Sequence, residues 1–142
     1  MIRKFETQDL GTVMQIWLEG NLDAHPFIPA SFWTGHFETV RDMLPQAELY
    51  VHEYKDTRQI DGFIGLTENH IEGIFVAKSA RSKGIGRALL EYAKSRKPRL
   101  TLSVYQKNER ALAFYRREQF AIHSEGIDED TNEAEIQMLW TR

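Results

Sequence analysis

The segment from Phe75 to Leu90 constrains the fold more than any other part of the chain. It begins as an apolar strand, passes through the basic loop 81–86 (RSKGIG), and continues as a helix predicted over 84–95. The first turn of a helix has backbone N–H groups without intrahelical partners, and it carries the positive end of the helix dipole. A phosphate or pyrophosphate fits at such a position. The segment therefore predicts an anion site where a strand passes into a helix.

Two glycines and three basic residues strengthen this prediction. Gly84 and Gly86 have no Cβ, so the backbone can approach the anion closely. Arg81, Lys83 and Arg87 would place positive charge around the same position. The spacing fits neither the phosphate loop G-x-x-x-x-G-K-[ST] nor the dinucleotide fingerprint, because a leucine stands where the third glycine belongs. A sharp strand-to-helix turn with solvated basic residues is the alternative interpretation.

The hydrophobic pattern predicts an α/β fold with the element order β-α-α-β-β-β-α-β-α-β-β. Apolar residues three and four apart predict helices, and alternation predicts strands. Together these elements form a mixed sheet with helices packed on it. The predicted strands are 2–5, 49–54, 60–67, 70–77, 99–105, 120–127 and 135–140, and the predicted helices are 10–20, 31–44, 84–95 and one that follows Asn108.

Length and composition narrow the class of protein. The chain has 142 residues, which fits a single domain over 1–142. No run approaches the ~20 apolar residues of a membrane helix, and the polar N-terminus does not resemble a secretory signal. The absence of cysteine and of His-x-x-x-His pairs predicts no metal site, and the net charge of -3 argues against nucleic-acid binding. These features predict a cytoplasmic protein.

The strand before the basic loop has an irregular apolar pattern. Ile71, Ile74 and Val76 are spaced three and then two apart, so a regular strand cannot place all of them on one face. One extra residue near Gly73 would restore the phase, which predicts a β-bulge there. Alternatively, Ile71 faces the other side of a strand that is covered on both faces.

These features together resemble the GNAT superfamily of N-acetyltransferases. Its coenzyme motif reads Arg/Gln-x-x-Gly-x-Gly/Ala after a strand, which matches residues 81–86. The resemblance covers nearly the whole chain in element order and is strongest from Ile71 to Phe120. The segments 25–28 (HPFI), 104–108 (VYQKN) and 114–115 (FY) are similar to those of small bacterial peptide- or protein-lysine acetyltransferases. The implied fold is a mixed, mostly antiparallel sheet, splayed at a β-bulge and flanked by helices.

The resemblance implies acetyl-coenzyme A as the co-substrate, with no metal. The loop amides would bind the pyrophosphate, and the pantetheine arm would pair with the strand edge that the bulge frees. Asn108 would contact the same arm. The implied backbone contacts are those of Lys83, Gly84, Ile85, Gly86 and Arg87 in the loop and of Ile74, Phe75 and Val76 on the strand.

The resemblance also implies an acid, whereas the base is left open. Tyr115 follows Asn108 by two helical turns and would donate a proton to the departing sulfur. Related N-terminal acetyltransferases often have glutamate where this chain has Ser103, and serine cannot act as a base unaided. Other members use the strand before the loop, which makes Glu72 and His70 candidates, directly or through water.

The acceptor pocket of the family lies between the first two helices. His25, Phe27 and Trp33 are therefore candidates for substrate binding, and Glu19 or Asp23 could attract a cation. Alternatively, the aromatic side chains only pack against one another.

The resemblance implies transfer of an acetyl group to a primary amine by direct attack in a ternary complex. The amine would belong to a protein or peptide lysine, to an N-terminus or to a small molecule. A non-catalytic coenzyme A-binding module is one alternative, and a phosphate site for another nucleotide is a second. Both a monomer and a homodimer are compatible with the sequence.

Overall fold

A computed structural model describes all residues, 1–142. Its element order is the one that the hydrophobic pattern predicts, with three short 3₁₀ turns in addition. The strands and α-helices are β1 (Ile2–Lys4), α1 (Leu10–Ala24), α2 (Ala30–Met43), β2 (Glu48–Glu53), β3 (Ile60–Thr67), β4 (His70–Val76), α3 (Ile85–Arg96), β5 (Arg99–Tyr105), α4 (Glu109–Arg117), β6 (Ala121–Asp128) and β7 (Glu133–Thr141).

One seven-stranded sheet has the order β1-β2-β3-β4-β5-β7-β6. Only β4 and β5 run parallel, and every other neighbouring pair is antiparallel. This confirms the mixed, mostly antiparallel sheet. The C-terminal strand, β7, lies between β5 and β6 because it pairs with both. The two edge strands of the sheet are β1 and β6.

The predicted bulge is present in β4. Gly73 pairs with Gly65 of β3 and Ile71 pairs with Leu66, so that Glu72 is the extra residue. The parallel pairing of β4 with β5 ends at Ile71, and the two strands are unpaired beyond it. A bulge bends its strand, so the extra residue separates the two central strands of the sheet.

Two hydrophobic cores lie on opposite faces of the sheet. The larger core packs α3 and α4 against the sheet and includes Ile71, with Ile74 and Val76 packed against it. The smaller core packs α1 against β2 and β3, and Phe75 packs against that core. The three isoleucine and valine side chains of β4 therefore share a face, as the bulge requires.

Helix α1 is longer than the sequence predicts, because Gly20 does not end it. A Cβ at Gly20 would lie only 2.9 Å from the Phe75 ring, so this glycine allows the helix to approach β4. The helix continues to Ala24, and the buried Asn21 side chain donates to the Trp17 carbonyl inside it. In α2, the buried side chain is that of Trp33.

A charge network joins the first strand to the start of α1. The guanidinium of Arg3 donates to both oxygens of Asp9, at 2.8 and 3.0 Å, and to Glu53 at 2.9 Å. Asp9 is 5% exposed, and hydrogen bonds from Arg3 hold its pKa below the usual range. A carboxylate whose pKa is lowered by folding stabilises the fold at pH values above its pKa in the unfolded chain. This stabilisation is lost as the pH falls through its pKa in the folded chain.

We expect Asp9→Asn to lower the free energy of unfolding by about 1–3 kcal/mol at pH 7, because Arg3 loses a charged partner in a buried setting. The difference from wild type should shrink below about pH 4, where the unfolded chain protonates Asp9. Urea denaturation at pH 7 and pH 3 measures both effects. The exposed, unpaired Asp42→Asn is the control; an equal loss there would contradict the assignment.

Candidate active site

The basic loop and the start of α3 form a concave array of backbone donors. Ser82 and Gly84 have positive φ angles of 64° and 83°, which curl the chain ahead of the helix. The first loop-to-helix hydrogen bond is from Ala88 to the Gly84 carbonyl, at 3.0 Å, and no N–H group from residue 82 to residue 87 has a partner in the chain. Alternating backbone conformations of this kind bind anions. Six free donors at a helix N-terminus therefore fit the predicted pyrophosphate.

The side chains of the loop differ in their availability. Arg81 forms an ion pair with Asp23 of α1 at 2.5 Å, and this contact lowers the pKa of Asp23. Arg87 is 3.7 Å from Glu118, whereas the exposed Lys83 has no acidic partner. Asp23, which we expected to attract a cation, is thus held by the loop. Lys83 is the basic side chain most available to an anion.

Ile85 and Gly86 pack the start of α3 against the larger core and α4. Ile85 is 8% exposed and belongs to the larger core. A Cβ at Gly86 would lie 3.6 Å from the Phe114 ring, in ordinary contact, so the helix start lies against α4. These positions would contribute their backbone amides, not side chains, to a ligand.

The edge of β4 that faces β5 is open beyond the bulge. The N–H group of Ala77 donates to Asp61 at 2.8 Å, on the β3 side. Backbone N–H groups along a strand point alternately to its two neighbours. The N–H group of Phe75 therefore also points toward β3, whereas the N–H groups of Ile74 and Val76 point toward β5. Since β5 does not pair there, the backbone groups of Ile74 and Val76 are free. Of the three predicted edge residues, these two offer N–H groups to an extended ligand.

Asn108 connects the start of α4 to the segment between α1 and α2. Its Oδ1 accepts a hydrogen bond from Ala111 N–H at 3.2 Å, which caps the helix. Its Nδ2 lies 3.4 Å from Nε2 of His25. The Asn108 side chain therefore both caps α4 and contacts His25 of the predicted acceptor segment.

The Tyr115 side chain lies in the last turn of α4. It is 9% exposed, and its ring packs against Phe114 and Phe120 in the larger core. The hydroxyl has no hydrogen-bond partner in the chain, and burial raises the pKa of Tyr115. The hydroxyl therefore keeps its proton across the physiological pH range.

His70 and Glu72, the two candidate bases, lie on the same face of the sheet. The ring Nδ1 of His70 is 2.9 Å from Oγ1 of Thr101, whose neighbours in β5 point into the larger core on the other face. The Cβ of Glu72 is 4.0 Å from the position that a Cβ on Gly65 would occupy, beside Leu49 of the smaller core. The carboxylate of Glu72 is exposed and forms no ion pair.

The three predicted acceptor residues form one aromatic cluster with Tyr105. His25 stacks on Trp33 with ring centroids 5.3 Å apart and meets the Tyr105 ring at 5.1 Å. Phe27 meets the same tyrosine at 5.7 Å. Burial lowers the pKa of His25 to about 4, although the nearby Asn21 carbonyl opposes this in part, so the cluster is uncharged at neutral pH. We call it the aromatic wall.

A row of hydrogen-bonded polar side chains that no sequence pattern indicates lies beside the aromatic wall. The Gln137 amide donates to the Ser103 hydroxyl at 3.1 Å and to the Glu135 carboxylate at 3.3 Å. Tyr105 and Glu135 are direct partners across β5 and β7. The alternation of β5 indicates that Ser103 and Tyr105 share a face. No sequence signal indicates the register that brings β7 beside them.

No three His, Asp or Glu side chains are grouped so that they could hold a metal ion. None of the helices is long and apolar enough to cross a bilayer.

A family model ties this geometry to a known class of enzymes. Residues 45–122 match the model described as the acetyltransferase (GNAT) domain, and they include the bulged strand, the basic loop and α4. The chain therefore belongs to the GNAT acetyltransferase family and is an acetyl-coenzyme A-dependent N-acetyltransferase.

Curated proteins and solved structures extend this match to nearly the whole chain. The peptidyl-lysine N-acetyltransferase YiaC of Escherichia coli is 38% identical over 86% of this chain and 84% of its own. The peptidyl-lysine N-acetyltransferase YjaB of E. coli is 32% identical over 85% and 82%. The solution structure of apo YjaB superimposes with a TM-score of 0.88 at 28% identity, covering 99% and 96%. PaiA N-acetyltransferase of Thermoplasma acidophilum, solved with coenzyme A, shares the fold with a TM-score of 0.76 at 18% identity over 99% and 98%.

Proposed function

We propose that this single domain acetylates the side-chain amine of lysine residues in proteins or peptides, by direct attack in a ternary complex. One observation carries the proposal: the β4 edge opened at Glu72 leads directly to six free amides at the start of α3. The relatives named peptidyl-lysine N-acetyltransferases, at 38% and 32% identity, support lysine as the acceptor. The absence of cysteine fits the cytoplasm as the place of action.

The chain would hold the coenzyme with backbone groups at two places. The amides from Lys83 to Arg87 would bind the pyrophosphate, with the Lys83 ammonium beside them. The free groups of Ile74 and Val76 would bind the extended arm, with Asn108 on its other side. Acetyl-coenzyme A, when bound, supplies an acetyl group activated as a thioester.

The N–H group of Ile74 would also polarise the thioester carbonyl, because it points into the opening between β4 and β5. A donor fixed in the sheet needs no reorganisation as negative charge develops on the oxygen. The same N–H group would thus position the acetyl group and promote the reaction.

Proton transfers are assigned to three side chains. A lysine ammonium must lose a proton before it can attack, and Glu72 or His70 would take that proton, directly or through water. Both side chains lie on the face of the sheet that carries the aromatic wall, at the level where β4 and β5 separate. Tyr115, held protonated by burial, would donate to the departing sulfur.

His25, Phe27 and Trp33 would bind the acceptor segment. Their cluster is aromatic and neutral at physiological pH because burial holds the pKa of His25 near 4. Such a wall would contact the apolar stem of a lysine side chain without repelling its charged end.

Three acceptors with different amines test this proposal: a lysine peptide with a blocked N-terminus, the same peptide with a free N-terminus and a blocked lysine, and spermidine. Release of coenzyme A and mass spectrometry report turnover and the position of the acetyl group. We expect acetylation of the blocked-N-terminus peptide at lysine Nε. Turnover with only one of the other acceptors would contradict lysine as the acceptor. Coenzyme A binding without any turnover would indicate a non-catalytic module.

A further inference from the structure

The β6–β7 hairpin, residues 121–141, is strongly acidic. It contains six Asp and Glu residues and no Lys or Arg, although the whole chain has a net charge of only -3. The rest of the chain therefore carries a net positive charge. We call this element the acidic hairpin. A one-signed surface beside a binding site raises the local concentration of ligands of opposite charge.

Tyr105 joins the acidic hairpin to the aromatic wall. Its hydroxyl donates to Asp128 at 2.6 Å, and Glu135 is its partner across the sheet. On its other side, the ring contacts His25 and Phe27. The hairpin carboxylates therefore border the region where the acceptor segment would bind.

A lysine side chain already occupies this border. The Lys107 ammonium lies 5.5 Å from the centroid of the Phe27 ring and 3.0 Å from Oε1 of Glu133. The Glu133 side chain is 19% exposed and the Lys107 side chain is 61% exposed. The carboxylate and the ring are thus the fixed parts of this arrangement, and the lysine is its outer partner. An aromatic face with an adjacent carboxylate is a suitable site for an alkylammonium group.

The carboxylates at this border outnumber the cations, even when the Lys107 ammonium is counted. Asp128, Glu133 and Glu135 present three carboxylates, and Lys107 is the cation that pairs with one of them. Asp128 and Glu133 stand directly opposite each other in the hairpin. Like charges placed opposite one another are unfavourable, so a further cation would stabilise this pair.

A second feature of the wall indicates a peptide. Trp33 is 8% exposed, and its Nε1–H has no hydrogen-bond partner. A buried donor without a partner is unfavourable, so such groups are usually satisfied by a ligand or solvent. A peptide carbonyl is an acceptor that a small free amine lacks.

We propose that the preferred acceptor is a lysine within a basic segment, whose flanking Lys or Arg side chains bind the acidic rim formed by Asp128, Glu133 and Glu135. A flanking cation takes the place of Lys107 on Phe27, and a carbonyl of the segment accepts from Trp33. This inference rests on the proposed function and specifies the acceptor class within it.

Three blocked peptides that differ only beside their single lysine test the inference: one flanked by Arg, one by Gln and one by Glu. We expect kcat/KM to be about three- to tenfold higher for the Arg peptide than for the Gln peptide at low salt, and lowest for the Glu peptide. The preference should decrease in 0.5 M NaCl, because salt screens exposed charges. Equal values for the Arg and Gln peptides would overturn the inference.

Glu133→Gln should reduce the Arg-to-Gln ratio to about twofold or less, since it removes one partially buried carboxylate. Glu125→Gln is the matched control: it makes the same change in the same hairpin, but Glu125 pairs with Ile136 of the larger core and lies on the other face. An equal loss in both variants would indicate overall charge rather than a defined rim, and would overturn the inference. If no peptide is acetylated, the proposed function itself fails; if all are acetylated equally, only this inference fails.

Discussion

Replacing Tyr115 with phenylalanine should lower kcat at least about 100-fold, the lower end of what a general acid contributes. The hydroxyl has no partner in the folded chain, so its removal breaks no hydrogen bond and should leave the fold intact. Coenzyme A binding should change by less than about threefold, because the loss falls on the chemical step. Steady-state kinetics and calorimetry with coenzyme A measure the two effects separately.

Tyr92→Phe is the control for this experiment. It removes the same hydroxyl from a tyrosine on α3, whose oxygen contacts Arg96 and whose ring packs against Tyr50 of β2. Its kcat should remain close to that of the wild type. If Tyr115→Phe also keeps kcat within about threefold, the proton donor has been assigned to the wrong residue.

The ionisation of Tyr115 also bears on the pH profile of the wild-type enzyme. Burial raises the pKa of Tyr115 above its ordinary value near 10. A donor is active while it is protonated, so this group should cause no decline in kcat at any pH below about 10. A decline that occurs at lower pH therefore belongs to another group.

Replacing His70 and Glu72 together with glutamine should lower kcat/KM at pH 7 at least about 100-fold. Both residues lie on the acceptor face, and Glu72 is exposed at the bulge with no ion pair to neutralise it. Glutamine keeps the size of glutamate and can still hydrogen bond, but it cannot accept a proton at this pH. The two single variants will show which residue contributes more.

The double variant His123→Gln and Glu125→Gln makes the same chemical changes on β6, away from β4 and β5. It should retain most of the activity. The assignment of the base is wrong if the His70 and Glu72 double variant keeps its turnover at pH 7. If its activity returns at higher pH, where the acceptor amine loses its proton to water, the lost group acted as a base.

Local sequence features carried the prediction of the fold and of the coenzyme site. The bulge followed from three apolar residues of β4 with the wrong spacing, and both its position and its effect on the faces of the strand are confirmed. The free amides followed from glycine and basic residues at a strand-to-helix junction. Both features depend on neighbours within a few residues, where spacing decides the geometry.

Contacts between distant segments could not be predicted in this way. Arg81 and Asp23 are 58 residues apart, and no local pattern indicates that they form an ion pair. Gly20 resembled a helix end, but it is needed where α1 approaches Phe75, a contact that only the tertiary fold creates. The place of Glu135 beside Tyr105 depends on strand register, which periodicity along one strand leaves undetermined.

The extra residue of the β4 bulge creates the opening between β4 and β5. Two parallel strands with continuous hydrogen bonding leave no gap for a ligand to enter. Strand β4 diverges from β5 directly after Ile71, where Glu72 shifts the pairing register of β4 with β3 by one residue. Substituting this glutamate alters only a side chain, whereas deleting it would restore even pairing with β3 and allow the two central strands to close. The length of β4 is therefore as much a determinant of catalysis as the identity of any side chain on it.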